Sequence, residues 1–458
     1  MEMKSGIKKN TILVCLIAAL SVFWTGAGYI NWLYGLLLHF SPQFIDITAN
    51  IVDYLCQAAG IAAFALYLKK HPDSMIRTFV FAIIAELVFM TAAVLMPIPV
   101  PKLILGFGMD IFCGMMIGGY ITIITSFCES YGIVYGIACS VGGILSYLIM
   151  LPLEGRLYTG DLANFVYLGT AVALIVMIIS VKTDKDQSGL TDLAGIDKKT
   201  IFICSGFVLL TCATMNLGYM NPAADISGGE ISLELARAFS ALGMIIAAIV
   251  ITYSRQSGLI LCVCSVINPF ICMALINATS LKMPLWILTY IFTGFYSIFC
   301  TVLFADIAKK HGLWIAGFGM MFRRLGEIIG SGAGMLLSGH SVVLVIVNAV
   351  LFIFTFFVAA EVWKILYDRP KASMNDNTSH IKNEDELFDD FTMKYGISDR
   401  EKDVLRCIFE GSTNLEIAGK LFITENTVKF HIKNILKKTE NSNRAELKKT
   451  WYDFKQIK

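Results

Sequence analysis

Three lysines, Lys429, Lys433 and Lys437, recur every four residues near the end of this 458-residue chain. Asn426, Thr427 and Phe430 stand among them, just after Thr424 and Glu425. A spacing of four lays the lysines along one stripe of a helix, opposite an apolar face of Val428, Ile432, Ile435 and Leu436. A row of ammonium groups attracts phosphates, and an aromatic ring beside it can meet thymine methyls. Such a row is ordinarily a solvated face; the other reading is recognition of a polyanion such as double-stranded DNA. Bond-making is not expected, because no stretch offers a phosphate-binding glycine loop or a nucleophile–base pair at motif spacing.

A second set of charges lies inside apolar windows: Asp53, Glu86, Asp110, Glu234, Arg237, Arg323, Arg324 and Glu327. Each costs several kcal/mol in a bilayer unless paired or solvated. Glu234 and Arg237 are spaced i,i+3, as are Arg324 and Glu327, and Arg323 and Glu327 are i,i+4, so each pair can meet on one helix face. Two roles fit: neutralisation within the helix, or a cavity in which Arg237 and Arg324 grip the anionic part of a small-molecule ligand. Trp24, Tyr29, Asn31, Trp32 and Tyr34 fit either an aromatic wall of that cavity or an interfacial belt. The twelve cysteines are scattered singly, and the nearest approach to a motif, Cys262 and Cys264, has no His or acidic companions at zinc spacing. No metal and no cofactor is expected.

The elements that must position these residues follow from hydropathy. Charged residues make up only 16% of the chain, against roughly 25% in a soluble domain. The deficit is confined to the first 366 residues. Apolar windows of about 20 residues give about twelve spans: 11–38, 46–68, 75–96, 101–126, 131–151, 162–181, 199–220, 231–253, 257–277, 284–305, 312–337 and 341–364. The basic segment Lys182–Lys199 divides them six and six. One set of loops carries sixteen Lys and Arg and the alternate set only Lys102, Arg156 and Lys282, which puts both termini in the cytoplasm. The basic N-terminus and the long apolar stretch after it have no clear small-residue cleavage site and predict a retained first span.

Periodicity stops between Asp368 and Tyr395. The stretch is polar, then strongly acidic at Glu384-Asp385-Glu386-Leu387-Phe388-Asp389-Asp390, and predicts a flexible tether spanning ~30 Å over residues 367–395. Helices resume at residue 396. Ser398 with Glu401 forms a capping box, Gly411 ends the first helix, Thr413 or Asn414 caps the second, and Thr424 caps the third. Residues 396–458 carry thirteen Lys and Arg against nine Asp and Glu, a modest positive charge suited to salt-sensitive DNA binding.

Gly396 to Trp451 resembles the LuxR-type helix-turn-helix family. The resemblance implies that Lys429, Phe430 and Lys433 face bases and that Asn426, Thr427 and Lys437 face the backbone. It also implies that two copies pair on DNA as a homodimer through a fourth helix around Asn443-Arg444-Ala445-Glu446-Leu447. Where the family shows Leu, Gly and Val, this chain has Thr439, Glu440 and Asn441, which predicts a weakly docked fourth helix. The six-plus-six topology of residues 1–366 resembles the major facilitator fold. The loop Leu68–Arg77 lacks that family's glycines and Asp-Arg pair, which argues against active transport.

The expected fold is all-α: a polytopic membrane bundle of about twelve helices (6+6), 1–366, an acidic linker, 367–395, and a four-helix DNA reader, 396–458. The expected function is a one-component transcription regulator in the bacterial cell membrane that senses a small molecule and binds DNA. The alternative is a secondary transporter with an attached regulatory DNA-binding domain.

Overall fold

The computed structural model describes residues 11–26, 47–150, 161–181, 198–223, 233–271, 282–337, 339–367, 384–409, 412–421 and 423–457, with residues 40, 41 and 44 besides. The described residues are α-helical, with short 3-10 and π turns. Two compact units separate, Met1–Arg369 and Pro370–Lys458.

In the first unit the helices before the basic segment are α1 (Thr11–Gly26), α2 (Asp53–Lys70), α3 (Met75–Leu95), α4 (Pro99–Phe127), α5 (Tyr131–Met150) and α6 (Asp161–Ile179). After it come α7 (Lys198–Ala223), α8 (Leu233–Ala238), α9 (Ser240–Tyr253), α10 (Arg255–Ser265), α11 (Lys282–His311), α12 (Phe318–Leu337) and α13 (Ser341–Leu366). Seven helical segments of the described residues are long and apolar enough to cross a membrane. The chain is a multi-pass membrane protein. Each of the twelve expected windows contains a described helical segment, and several of these are too short or too interrupted to span by length alone.

Glycine allows the closest helix contacts. A Cβ on Gly60 would stand 1.8 Å from the Ile111 carbonyl oxygen, and one on Gly114 would stand 2.1 Å from that of Gln57. The α2 and α4 backbones therefore touch, as small residues permit in a lipid phase. That approach brings Gln57 against Asp110. On the other side Gly326 and Gly330 of α12 sit against the Leu209 and Ala213 carbonyls of α7, at 2.5 and 2.3 Å from a notional Cβ. The eleventh window's glycines at those positions are packing residues.

The second unit has five helices: α14 (Glu384–Lys394), α15 (Asp399–Phe409), α16 (Asn414–Leu421), α17 (Glu425–Lys438) and α18 (Arg444–Ile457). The expected tether is corrected over residues 384–395; residues 368–383 lie outside the described residues. Leu387, Phe388 and Phe391 of α14 are buried in the same core as Val404, Leu405, Ile417, Val428, Ile435, Leu447, Trp451 and Phe454. Gly396, at φ +60°, lets Ile397 N–H reach the Thr392 carbonyl at 2.9 Å, a glycine-closed helix end. Asp389 is exposed and Asp390 half-buried, on the side of this helix away from Leu387, Phe388 and Phe391.

The expectation of a weakly docked fourth helix is also overturned. Leu447 of α18 is fully buried, and Arg444 donates to the Ser412 carbonyl at 3.0 Å and to the Asn414 side chain. The residues that replace Leu, Gly and Val supply other contacts. Thr439 donates to the Ile435 carbonyl at 2.8 Å, and Asn441 accepts from the Thr450 hydroxyl at 2.8 Å. Glu440 adopts φ 57°, the left-handed geometry that glycine ordinarily serves.

Candidate ligand site and nucleic-acid interface

Capping fixes α15, α16 and α17. Ser398 N–H donates to Glu401 Oε2 at 2.9 Å, Thr413 and Glu416 exchange bonds at 2.8 and 3.3 Å, and Thr424 Oγ1 accepts from Thr427 N–H at 3.2 Å. Thr413, and not Asn414, is therefore the cap of α16. Lys438 reaches back from α17 to the Gly396 carbonyl at 2.8 Å and to Glu401 at 2.6 Å, tying the third helix to the first. Burial pushes the Glu401 carboxyl up, but the Lys438 and Ser398 bonds outweigh it and hold the group below its usual range. Gly411 lies outside the described residues.

The apolar face of α17 is buried through Val428, Ile432 and Ile435, which turns Lys429, Phe430, Lys433 and Lys437 outward together. Phe430 is 61% exposed, unusual for an aromatic ring without a partner surface. Lys429 is paired with Glu425 at 3.0 Å, a surface ion pair worth little. Asn426 is exposed at the helix start, where N–H groups favour anions. The Thr427 hydroxyl shares a hydrogen bond with that of Thr424 at 2.8 Å.

In the membrane unit Glu327 stands between two guanidinium groups on α12. Arg323 Nε donates to one carboxylate oxygen at 2.7 Å and Arg324 Nη1 to the other at 2.7 Å. Arg323 also donates to the Ser297 hydroxyl and lies over the Tyr296 ring at 5.3 Å, both on α11. Arg324 lies over the Tyr54 ring of α2 at 4.5 Å, with its Nε–H buried and not hydrogen-bonded. One carboxylate is thus shared by two cations, between helices from either side of the basic segment.

Arg237 is placed elsewhere. Its Nε donates to the Tyr290 hydroxyl at 3.2 Å, beside the buried Trp286. The Glu234 side chain lies outside the described residues, as do Tyr29, Asn31, Trp32 and Tyr34. Trp24 is buried in the main core.

Several polar residues were not singled out from sequence. Gln57 Nε2 donates to Asp110 at 3.1 Å with both residues buried, and Tyr54 precedes Gln57 by one helical turn. Their polarity on an otherwise apolar α2 was the available signal. Tyr131, Arg255, Asp306 and Lys309 form a further cluster, because the ends of α5, α10 and α11 converge there. Arg255 and Lys309 had been read only as loop charges that set orientation.

Residues 396–449 match the family described as bacterial regulatory proteins, luxR family. The uncharacterized transcriptional regulatory protein YhcZ of Bacillus subtilis (strain 168) is 40% identical over 80 residues, 18% of this chain and 36% of that protein. The regulatory protein SdiA of Escherichia coli (strain K12) is 46% identical over 56 residues, 12% of this chain and 23% of that protein. The chain spans about a third or less of the length of these curated relatives. Among solved structures, that of the nucleoside transporter NupG is similar at 15% identity and a TM-score of 0.52, over 75% of this chain and 99% of that one. That of the transporter FucP in the outward conformation is similar at 14% identity and a TM-score of 0.50, over 76% and 98%.

The chain carries a LuxR-type helix-turn-helix domain and a major-facilitator-like helical fold. At these identities the second likeness is one of fold alone. The matches are to regulatory proteins and transporter folds.

Proposed function

We propose that this chain is a secondary transporter of major facilitator type with an attached regulatory DNA-binding domain. This reverses the order reached from sequence, where sensing alone ranked first. The transporter-like fold spans almost the whole length of NupG and FucP, whereas the regulator likeness is confined to the last residues. The observation that carries the reading is the contact of Arg324 with Tyr54. It sets a guanidinium from the second group of helices, which shares its carboxylate with Arg323, on an aromatic ring from the first. The natural occupant of such a site is a small anion, gripped by a forked donor. Arg324 is its main contact, whereas Arg237, bonded to Tyr290 beside Trp286, lies apart from it.

The reader binds double-stranded DNA as a homodimer. Lys429, Phe430 and Lys433 meet bases, and Asn426, Thr427 and Lys437 meet phosphates. The bundle has twelve spans in two groups of six, with both termini cytoplasmic in the bacterial membrane. Sixteen residues, 368–383, separate Tyr367 from the first helix of the second unit, so the chain between them extends at most ~55 Å. DNA must therefore come close to the membrane to be read.

The second reading is a one-component regulator that binds its ligand without moving it. The missing glycines and Asp-Arg pair between Leu68 and Arg77 favour it. A thermal-shift screen of the full chain against small carboxylates, sulfonates and phosphates supplies a ligand, and its uptake into proteoliposomes separates the readings. The transporter reading requires accumulation that Arg324→Gln abolishes. Binding without accumulation in the wild type selects the regulator. A screen in which no anion stabilises the chain rejects the anion site.

A further inference from the structure

Helices from the two sides of the basic segment are tied at one end of the bundle. Tyr131, the first residue of α5, donates its hydroxyl to Asp306 near the end of α11. Lys309, one helical turn later, donates to the Cys128 carbonyl just past α4 at 3.0 Å and lies over the Tyr131 ring at 4.4 Å. A further contact spans the same groups of helices, Lys69 at the end of α2 over the Trp314 ring at 4.5 Å. All of these residues lie at helix ends on the lysine-rich side. The first and second groups of helices cannot part there without breaking them.

Asp306 is shared. Arg255, the first residue of α10, donates Nε and Nη2 to its two oxygens at 2.9 and 3.2 Å. A forked ion pair of this kind fixes direction as well as distance. Arg255 also donates to the Ile251 carbonyl at 2.6 Å, and the Ser254 side chain caps α10 through Ser257 N–H at 3.1 Å. The start of α10 is therefore held by the same carboxylate that receives Tyr131. The next residue, Gln256, donates to the Tyr367 carbonyl at 3.3 Å. Tyr367 is the cap residue of α13, with its N–H on the Trp363 carbonyl and its phenol in electrostatic range of Asp306 and Arg255. The chain leaves the membrane unit two residues further on.

We infer that Tyr131–Asp306–Arg255–Gln256–Tyr367 is a relay that reports separation of the two groups of helices to the base of the DNA reader. Loss of the Tyr131 bond frees Asp306 and Arg255 to shift with α10, and Gln256 then lets go of Tyr367. The end of α13 then frays at Tyr367, two residues before the chain leaves the membrane unit. The inference rests on the proposed coupling of a transporter-type unit to a reader, and it names the residues that carry the coupling.

The test uses the full chain in nanodiscs and needs neither ligand nor operator. Fluorophores on unnatural amino acids at positions 129 and 310 read separation of the two groups of helices. Hydrogen exchange at the Tyr367 amide reads the relay. Tyr131→Phe, which removes one hydroxyl, should lengthen the label distance and speed exchange at Tyr367 about tenfold. In a Gln256→Ala background the same change should still lengthen the distance but add less than about twofold to exchange, because both act through one contact. Three results overturn the relay: full additivity of the two substitutions, an unchanged Tyr367 amide despite a longer distance, or an unchanged distance in both Tyr131→Phe and Asp306→Asn. Failure of the chain to bind DNA while the relay behaves as stated would strike only the proposed function.

Discussion

Phe430 is the residue whose setting is hardest to explain without a partner. It projects from α17 between Lys429 and Lys433 while the opposite face of the helix is sealed in the core. A ring held in water at that position is what the proposed apolar base contact requires. Lys429→Ala and Lys433→Ala should each weaken specific binding by about 1–3 kcal/mol, whereas Lys437→Ala lowers affinity for all sequences alike. Competition footprinting with specific and random DNA separates the two effects, and equal losses on both DNAs for Lys429→Ala would remove it from base reading. Glu401 gives a pH prediction at the same scale. Its carboxyl is held below the ordinary range by Lys438 and Ser398, so its contribution is complete above the unfolded value of about 4.3 and disappears as pH falls through the lower folded value. Glu401→Gln should destabilise residues 370–458 at pH 7 and make little difference under strongly acidic conditions, as read by urea unfolding at both.

At the scale of elements, the helices that were legible were those whose apolar periodicity was long or whose caps were spelled out. Ser398 with Glu401 and Thr424 announced α15 and α17, and both form as read. Helix α14 was missed because its acidic residues dominate its composition. Its apolar residues, Leu387, Phe388 and Phe391, span little more than one turn, and Gly396 was read as the start of the reader instead of the stop of the helix before it. The docking of α18 was missed for a different reason: Asn441 accepts from Thr450, and Arg444 donates to the Ser412 carbonyl, hydrogen bonds that periodicity does not register. Phe391 is fully buried against Trp451 and Phe454, with ring centroids at 5.1 and 5.3 Å. Phe391→Ala should cost about 3–5 kcal/mol in unfolding of residues 370–458, and a change under 1 kcal/mol would mean that α14 is a bystander. Glu440→Gly should act in the opposite direction, raising stability by about 0.5–1 kcal/mol by relieving a left-handed backbone.

At the scale of the whole molecule, the amino-acid pattern conveyed two units of different solvent and the sign of their charge. It conveyed less of how buried charges meet. Spacing alone brought Glu327 to Arg323 and Arg324, because all three share one helix. Tyr54 beneath Arg324, and Tyr131 upon Asp306, join helices far apart in sequence, and no local rule reaches them. The Lys and Arg bias predicts that reporters fused after His39, in the 182–199 segment and after Tyr367 read outside, inside and inside. An outside signal after Tyr367 would leave the reader on the wrong side of the membrane. With a solute from the anion screen in hand, the most direct test of the central claim is immunoprecipitation of DNA bound to the full chain in cells, with and without that solute, beside a detached reader of residues 370–458. The account predicts that the solute changes occupancy by the full chain, that Arg324→Gln removes the change, and that the detached reader ignores the solute. Equal occupancy by the full chain in both conditions, or an identical response from the detached reader, would contradict it.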